Sequence, residues 1–255
     1  MMRRCLGTVL LLLFLPACHI VPPEVTLPEV PADPFVKLLE QRRQAFVGMK
    51  AVGRIEIERK GRRRVYESVA ILQQGFRKLK VEGYGPLGEP LFALLWDGTD
   101  VLVRKPGETE PVRVGRFGLA GMLALPISPA DLSALLTGNV PAFPAAARAR
   151  AGCGSDGKCI VDLGYDDLRL RVFFAPGALA GDRVVEGAEL RRGNSLVFRS
   201  DFVRPVGASA AEIPRRIVIE NPEEKVRLIV DYEEAETVSV EDALFAFPPG
   251  EDTTR

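Results

Sequence analysis

From Ala51 onward, apolar and polar residues alternate in segment after segment, and this period of two limits the chain more than any other feature. Ala51, Gly53, Ile55 and Ile57 alternate with Val52, Arg54, Glu56 and Glu58 before Lys60-Gly61-Arg62 turns the chain. Such a pattern buries one face and wets the other, as in a half-exposed antiparallel strand. Further strands are legible at 65–73, 76–84, 91–98, 100–105, 159–163, 168–174, 184–192, 195–203, 214–221 and 225–232. Asp97-Gly98 and Pro106-Gly107 supply turn chemistry between and after two of them. Two segments break the alternation. Asp33-Pro34 offers a cap acceptor and a first-turn proline ahead of Phe35, Leu38, Leu39, Arg42 and Phe46 at helical spacing. In mid-chain, FGLAGMLALP and SPADLSALLTG read as one or two short helices, the second with Ser128 as cap, Pro129 at its first position and Gly138 just beyond its end.

The pattern predicts an α+β fold of about ten or eleven antiparallel strands, one early helix and a helical insert. A sheet that long must curl. An open half-barrel whose helices cover a hydrophobic cavity on the concave face would bury both surfaces, and a closed barrel or a sandwich would satisfy the same pattern.

The amino terminus, MMRRCLGTVLLLLFLPAC, places two arginines before an apolar run from Leu6 to Leu15. That run is far shorter than the roughly 20 residues a spanning helix needs, so it is an export signal and not an anchor. Leu15-Pro16-Ala17-Cys18 resembles the lipobox of bacterial lipoproteins, which predicts cleavage before Cys18 and acylation of that residue. Each buried CH₂ contributes about 0.8 kcal/mol, so several chains on Cys18 would hold the protein on a bilayer. His19 follows in place of the Asp that commonly retains lipoproteins on the inner membrane, which favours the periplasmic face of the outer membrane. Prolines at 22, 23, 28, 31 and 34 predict an extended tether, with an ordered arm packed on the domain as the alternative. The expected organisation is a signal peptide over 1–17, a lipidated cysteine and tether over 18–34, and one domain over 35–255.

Composition removes several functions. Basic and acidic residues balance at 34 each, so bulk charge gives no reason to expect nucleic acid as a partner. The only histidine, His19, lies beside the lipid anchor, which leaves histidine-based catalysis and metal binding without material. An enzyme, a metal site and a cofactor are not expected. Gly83-Tyr84-Gly85-Pro86-Leu87-Gly88 matches G-x-G-x-x-G, but Pro90 and a strand-like LFALLW follow where a dinucleotide site needs a helix. Cys153 and Cys159 stand six apart in an exported chain and predict a disulfide across a hairpin tip. Arg59, Lys60, Arg62, Arg63 and Arg64 make a basic tip, either a solvated turn or a contact for anionic lipid headgroups or an acidic partner.

Three segments, in this order, resemble the LolB-like family of outer-membrane lipoprotein receptors: Gly85-Pro86-Leu87-Gly88 between two strands, LPISPADLSALLTG at 125–138, and the closing hairpin IPRRIVIENPEEKVRLIVDY at 213–232. The resemblance implies an open β-barrel with helices closing an acyl-chain cavity, and a protein that receives lipoproteins from a periplasmic carrier and places them in the outer membrane. It also implies that Leu87 protrudes and takes part in delivery into the membrane. From the residues alone, Leu87 either folds back on the sheet edge or is offered outward. Alternation proposes Phe76, Leu79, Val81, Phe92, Leu94, Trp96, Met122 and Leu123 as the cavity wall. A monomer is expected, with outer-membrane lipid and lipoprotein acyl chains as partners. The competing expectation is a tethered envelope lipoprotein that binds a partner and carries no acyl cargo.

Overall fold

The computed structural model describes residues 27–247 apart from residues 106, 109, 116, 117, 119, 120, 122, 124, 145, 146, 178–182, 206–208 and 210. Its described residues hold one sheet of fourteen strands, open at both edges. The first meander comprises β2 (Gly48–Arg59), β3 (Arg62–Gln74), β4 (Lys78–Tyr84), β5 (Pro90–Trp96), β6 (Val101–Arg104) and β7 (Val112–Arg113). The second comprises β8 (Arg148–Cys153), β9 (Cys159–Tyr165), β10 (Leu168–Phe174), β11 (Val185–Arg192), β12 (Ser195–Val203), β13 (Arg216–Asn221) and β14 (Val226–Thr237).

The sequence pattern underestimates the strand count, and the three additional strands show why. β1 (Glu29–Val30) and β7 are two residues long and have no period to read. β8, with the sequence RARAGC, lacks the β-branched and aromatic residues that mark strands. β1 also lies inside the segment expected to be an unpaired tether through residue 34. Its Glu29 and Val30 pair with Gly152 and Ala151 of β8 at one edge of the sheet.

The two meanders join through β14 and β2, which pair antiparallel from Val226↔Arg59 to Thr237↔Met49. The last strand therefore lies beside the second, in the middle of the sheet, while β7 and β8, neighbours in sequence, lie toward opposite edges. The connection from β7 to β8 has to travel the width of the sheet. It carries helix α2 (Pro129–Leu135), which lies on the core face with Pro129, Leu132, Ala134 and Leu135 buried. Helix α1 (Asp33–Ala45) likewise leads from edge strand β1 to central β2, burying Phe35 and Leu38. Phe35 packs edge-on against Phe174 of β10, ring centroids 5.3 Å apart.

Local sequence explains the helix ends, with one correction. At α2 the Ser128 hydroxyl accepts from the Asp131 N–H at 3.1 Å, while the Asp131 carboxylate accepts from the Ser128 N–H at 3.3 Å. This reciprocal box satisfies two otherwise orphaned donors. At α1, Ala32 holds the cap position without a side-chain bond, and Asp33, expected as the cap, sits in the first turn, where its charge suits the positive end of the helix.

Cys153 and Cys159 face each other across the β8–β9 hairpin and form a disulfide. On the opposite face of the sheet, the segment after β14 buries Val240 and Phe245 against Leu95 of β5.

Charges on the outer face of β14, β2 and β3 are matched strand to strand. Glu56 accepts bidentate bonds from Arg63, the longer at 2.7 Å, and a bond from Arg54 at 3.0 Å. Arg54 also reaches Glu67 at 3.1 Å and Asp231 at 3.5 Å. The Arg63 hydrogen bond, helped by the charges of Arg63 and Arg54 and opposed by burial, holds the Glu56 carboxyl at about 2, against an ordinary value of 4.5. A depressed folded-state value adds stability at pH above the unfolded value and loses it as pH falls through the folded one. We expect the unfolding midpoint to drop between about pH 4.5 and pH 2, and Glu56→Gln to flatten that acid limb in denaturant titrations across this range.

Candidate functional site: an apolar cavity with a basic mouth

α2 does not fill the concave face. Between it and the first meander lies a cavity of about 800 Å³, within the range typical of small-molecule sites. Its wall follows from the alternation of the strands. β2 contributes Ile55 and Ile57, β3 Tyr66, β4 Val81, β5 Phe92 and Leu94, β6 Val103, and β14 Leu228 and Val230. Leu132 and Leu136 cover it from the helix side, with Leu123 from the segment before.

One backbone detail shapes this wall. Gly83 pairs with Phe92, and the Phe92 ring lies so close that any side chain at 83 would overlap it. The glycine lets Phe92 lie across β4 and meet Tyr66 edge-on, centroids 4.5 Å apart.

The cover is pinned at its far end. The Tyr232 hydroxyl, fully buried on β14, donates to the Leu136 carbonyl at 2.7 Å, and burial pushes this phenol well above its ordinary range. Arg42 of α1 donates to the Gly138 carbonyl at 3.4 Å. Arg204 donates to the carbonyls of Val185 and Glu212, and its guanidinium would meet any side chain at Gly138. Burial lowers Arg42 to about 10; burial and the charge of Arg42 lower Arg204 to about 10. Both stay charged at neutral pH, as suits a helix carboxyl end.

The cavity reaches one end of the sheet, where the wall changes chemistry. Arg59, Lys60, Arg62 and Arg64 from the β2–β3 hairpin, with Arg104 at the end of β6 and Lys105 after it, line the mouth. Strand direction places the β4–β5 turn at this end too, since β4 leaves β3 at Tyr84↔Ser68 heading toward the same hairpin tip. There Gly85 and Glu89 close the turn, the Gly85 N–H donating to the Glu89 carbonyl at 2.8 Å, and Gly88 takes a φ of 82°. The Leu87 N–H is held by the Glu89 carboxylate at 3.0 Å, yet its side chain is 94% exposed. No helix follows the glycine-rich turn, so amide dipoles of the kind a dinucleotide needs are not assembled there.

Of the residues expected on the wall, Val81, Phe92, Leu94 and Leu123 line the cavity. Leu79 is packed into the core with no exposure. Phe76 and Trp96 border a smaller hollow toward the opposite end, where Phe76 stacks on Phe46 at 4.8 Å. Sharing a face is not enough: position along the strand decides which inward side chains meet the unfilled space. Cys18 and Met122 lie outside the described residues. Sequence reasoning did not select the wall residues of β2, β3, β6 and β14, although their alternation was legible; that β14 adjoins β2 was not. Among the described residues no group of His, Cys, Asp and Glu could hold a metal ion, and no helix is long and apolar enough to cross a membrane.

The fold and cavity define a class: an open antiparallel half-barrel with helices on its concave side. No protein-family model matches the chain, and neither does any curated protein. Solved structures share the fold. A LolA superfamily protein from Nitrosomonas europaea aligns over 86% of this chain and 98% of its own, with a TM-score of 0.55 and 15% identity. A domain assigned to outer membrane lipoprotein sorting, from Vibrio parahaemolyticus, aligns over 83% and 94%, with a TM-score of 0.56 and 11% identity. At such identities the likeness is one of fold.

Removing the bond that pins the cover should register as stability. We expect Tyr232→Phe to lower the unfolding free energy by about 1–2 kcal/mol, because the buried Leu136 carbonyl loses its donor. Denaturant midpoints of the two proteins at neutral pH would measure it.

Proposed function

We propose that this chain is an envelope lipoprotein, held on the periplasmic face of the outer membrane through Cys18, that takes acyl chains into its cavity and receives or inserts lipoproteins. The observation that carries the reading is the cavity, apolar on strand and helix sides and open at one end. A domain that only packed its own core would close that space, since interiors pack densely and each unfilled volume forfeits contacts. The fold shared with the LolA superfamily protein and the lipoprotein-sorting domain supports the same reading, as does the sequence resemblance to the LolB-like receptors. A periplasmic carrier would be the donor.

On this reading Leu87 is the membrane-directed element. An exposed leucine forgoes the roughly 1.5–3 kcal/mol that burial supplies, and the turn holding it is built from its own hydrogen bonds, so the position is maintained independently of the core. The lipobox supports anchoring.

The reading is tested by acyl binding and delivery together. Wild-type protein should bind a fluorescent fatty acid and pass a bound lipoprotein to liposomes. Leu87→Glu should unfold within about 0.5 kcal/mol of wild type, as exposed substitutions do, and bind the probe unchanged, but deliver at a small fraction of the rate because a charge resists entry into hydrocarbon. Absence of probe binding by the wild type would leave the interaction-lipoprotein alternative. Independently, Cys18→Ala should accumulate as the full-length precursor and leave the outer-membrane fraction, as immunoblots of fractionated cells would show.

A further inference from the structure

The cations of the β2–β3 hairpin divide by face. Those pointing outward are neutralised: Arg63 by Glu56, and Arg54 by Glu56, Glu67 and Asp231. Those pointing inward have no such partner among the described residues. Arg59, Arg62 and Arg64 continue the inward row that begins with Ile55, Ile57 and Tyr66, and they line the cavity mouth. Arg59 pairs directly with Arg62, and Arg64 with Ile57. Like charges opposite one another on a sheet destabilise it. Among the described residues, no carboxylate lies within ion-pair distance of Arg59, Lys60, Arg62 or Arg64, although the chain places carboxylates beside the other arginines of this hairpin. The Arg104 guanidinium lies over the Phe247 ring at 5.5 Å, on the sheet face opposite the cavity, and of these residues Lys105 alone has a nearby carboxylate, Glu108 at 3.7 Å.

An apolar cavity ending in unneutralised cations is complementary to one kind of molecule. We propose that the cavity binds an anionic amphiphile, whose acyl chain lies among Ile57, Val81, Phe92 and Leu94 and whose phosphate headgroup is held at the mouth by Arg59, Arg62 and Arg64. Guanidinium forks bind phosphate oxygens in bidentate fashion, and three of them on adjacent strands can share one headgroup. The bound anion would also relieve the repulsion between Arg59 and Arg62. This rests on the acyl-binding reading above and narrows it to lipids with an acidic head. A membrane surface could use the same charges, but a surface would be met as well by cations on the outer face, whereas these open into the cavity.

The test uses the full lipidated chain in phosphatidylcholine nanodiscs, with empty nanodiscs as reference, and two probes of equal chain length, oleyl phosphate and oleyl alcohol. The wild type should bind oleyl phosphate at least about tenfold more tightly, the scale of one or two charge-assisted bonds. Arg59→Gln/Arg62→Gln/Arg64→Gln should lose that preference and keep its affinity for oleyl alcohol, while Arg63→Gln, altered on the outer face of the same hairpin, should keep both. Millimolar inorganic phosphate should not displace oleyl phosphate. Should the triple variant fail to fold, Arg62→Gln alone should reduce the preference about threefold. Equal binding of the two probes by the wild type, or a preference that survives in the triple variant, would overturn the proposal and leave the acyl cavity standing. Displacement by inorganic phosphate at equal affinity would make this a free-anion site and overturn it as well. If instead the triple variant keeps the probe preference but no longer docks on phosphatidylglycerol vesicles, the cations serve a membrane surface and the proposal fails. Binding of neither probe would remove the acyl-cavity reading itself.

Discussion

The structure depends on one pairing, that of β14 with β2. Eleven residue pairs join the end of the strand region to its beginning and fuse two meanders into one sheet. The consequence reaches beyond the sheet. With the last strand beside the second, β7 and β8 are left toward opposite edges, and the chain between them must cross a face. Whatever apolar residues that crossing carries are delivered to the concave side. α2 covers the sheet because of that connectivity, and Tyr232 of β14, the strand that creates the crossing, also donates the bond that holds the helix end.

A short cover over a long sheet leaves space. α2 has seven residues, about two turns, and buries the sheet where it sits. Among the described residues, Leu123, Leu132 and Leu136 cover the inward side chains of β2 to β6 only in part, and the result is the cavity. The same strands run past the end of α2 into the hairpin tip, where the inward row changes from isoleucine and tyrosine to arginine. Wall and mouth are thus one continuous face of two strands, apolar where the helix covers it and cationic where it ends. On the outer face the charges cancel across strands through Glu56. Two faces of one hairpin therefore have different electrostatics, although their residues alternate along the same chain.

Much of this was legible in the residues. Strands rich in valine, isoleucine and phenylalanine declare themselves, because alternating burial and β-branched side chains act together on the same positions. The α2 signals were complete within eleven residues, since cap serine, proline and glycine are local devices. Leu87 was recognisable as a leucine between glycines at a turn. β8 was not legible, because its arginines, alanines and glycine have little preference for a strand; it exists through pairing with β9, the disulfide at its end, and the short β1 on its other side. The expected wall failed at Phe76, Leu79 and Trp96 for a related reason. Alternation assigns a side chain to a face, but whether that face meets core, solvent or an unfilled space depends on what lies opposite.

By itself the sequence determined most of the elements: an antiparallel sheet, the early helix, the mid-chain helix with both its ends, a disulfide between Cys153 and Cys159, an exported and lipid-modifiable amino terminus as expectation, and too little histidine for familiar catalysis. These follow from interactions between residues close along the chain, which a reading of neighbours can see. Only the tertiary structure decided that β14 closes on β2, that the mid-chain helix crosses the concave face, that the face stays partly uncovered, and that three inward arginines stand together with no carboxylate of the described residues in ion-pair reach. The first three depend on segments distant along the chain meeting in space, as β14 meets β2; the arginines are close in sequence, and only the surrounding sheet shows which carboxylates reach them.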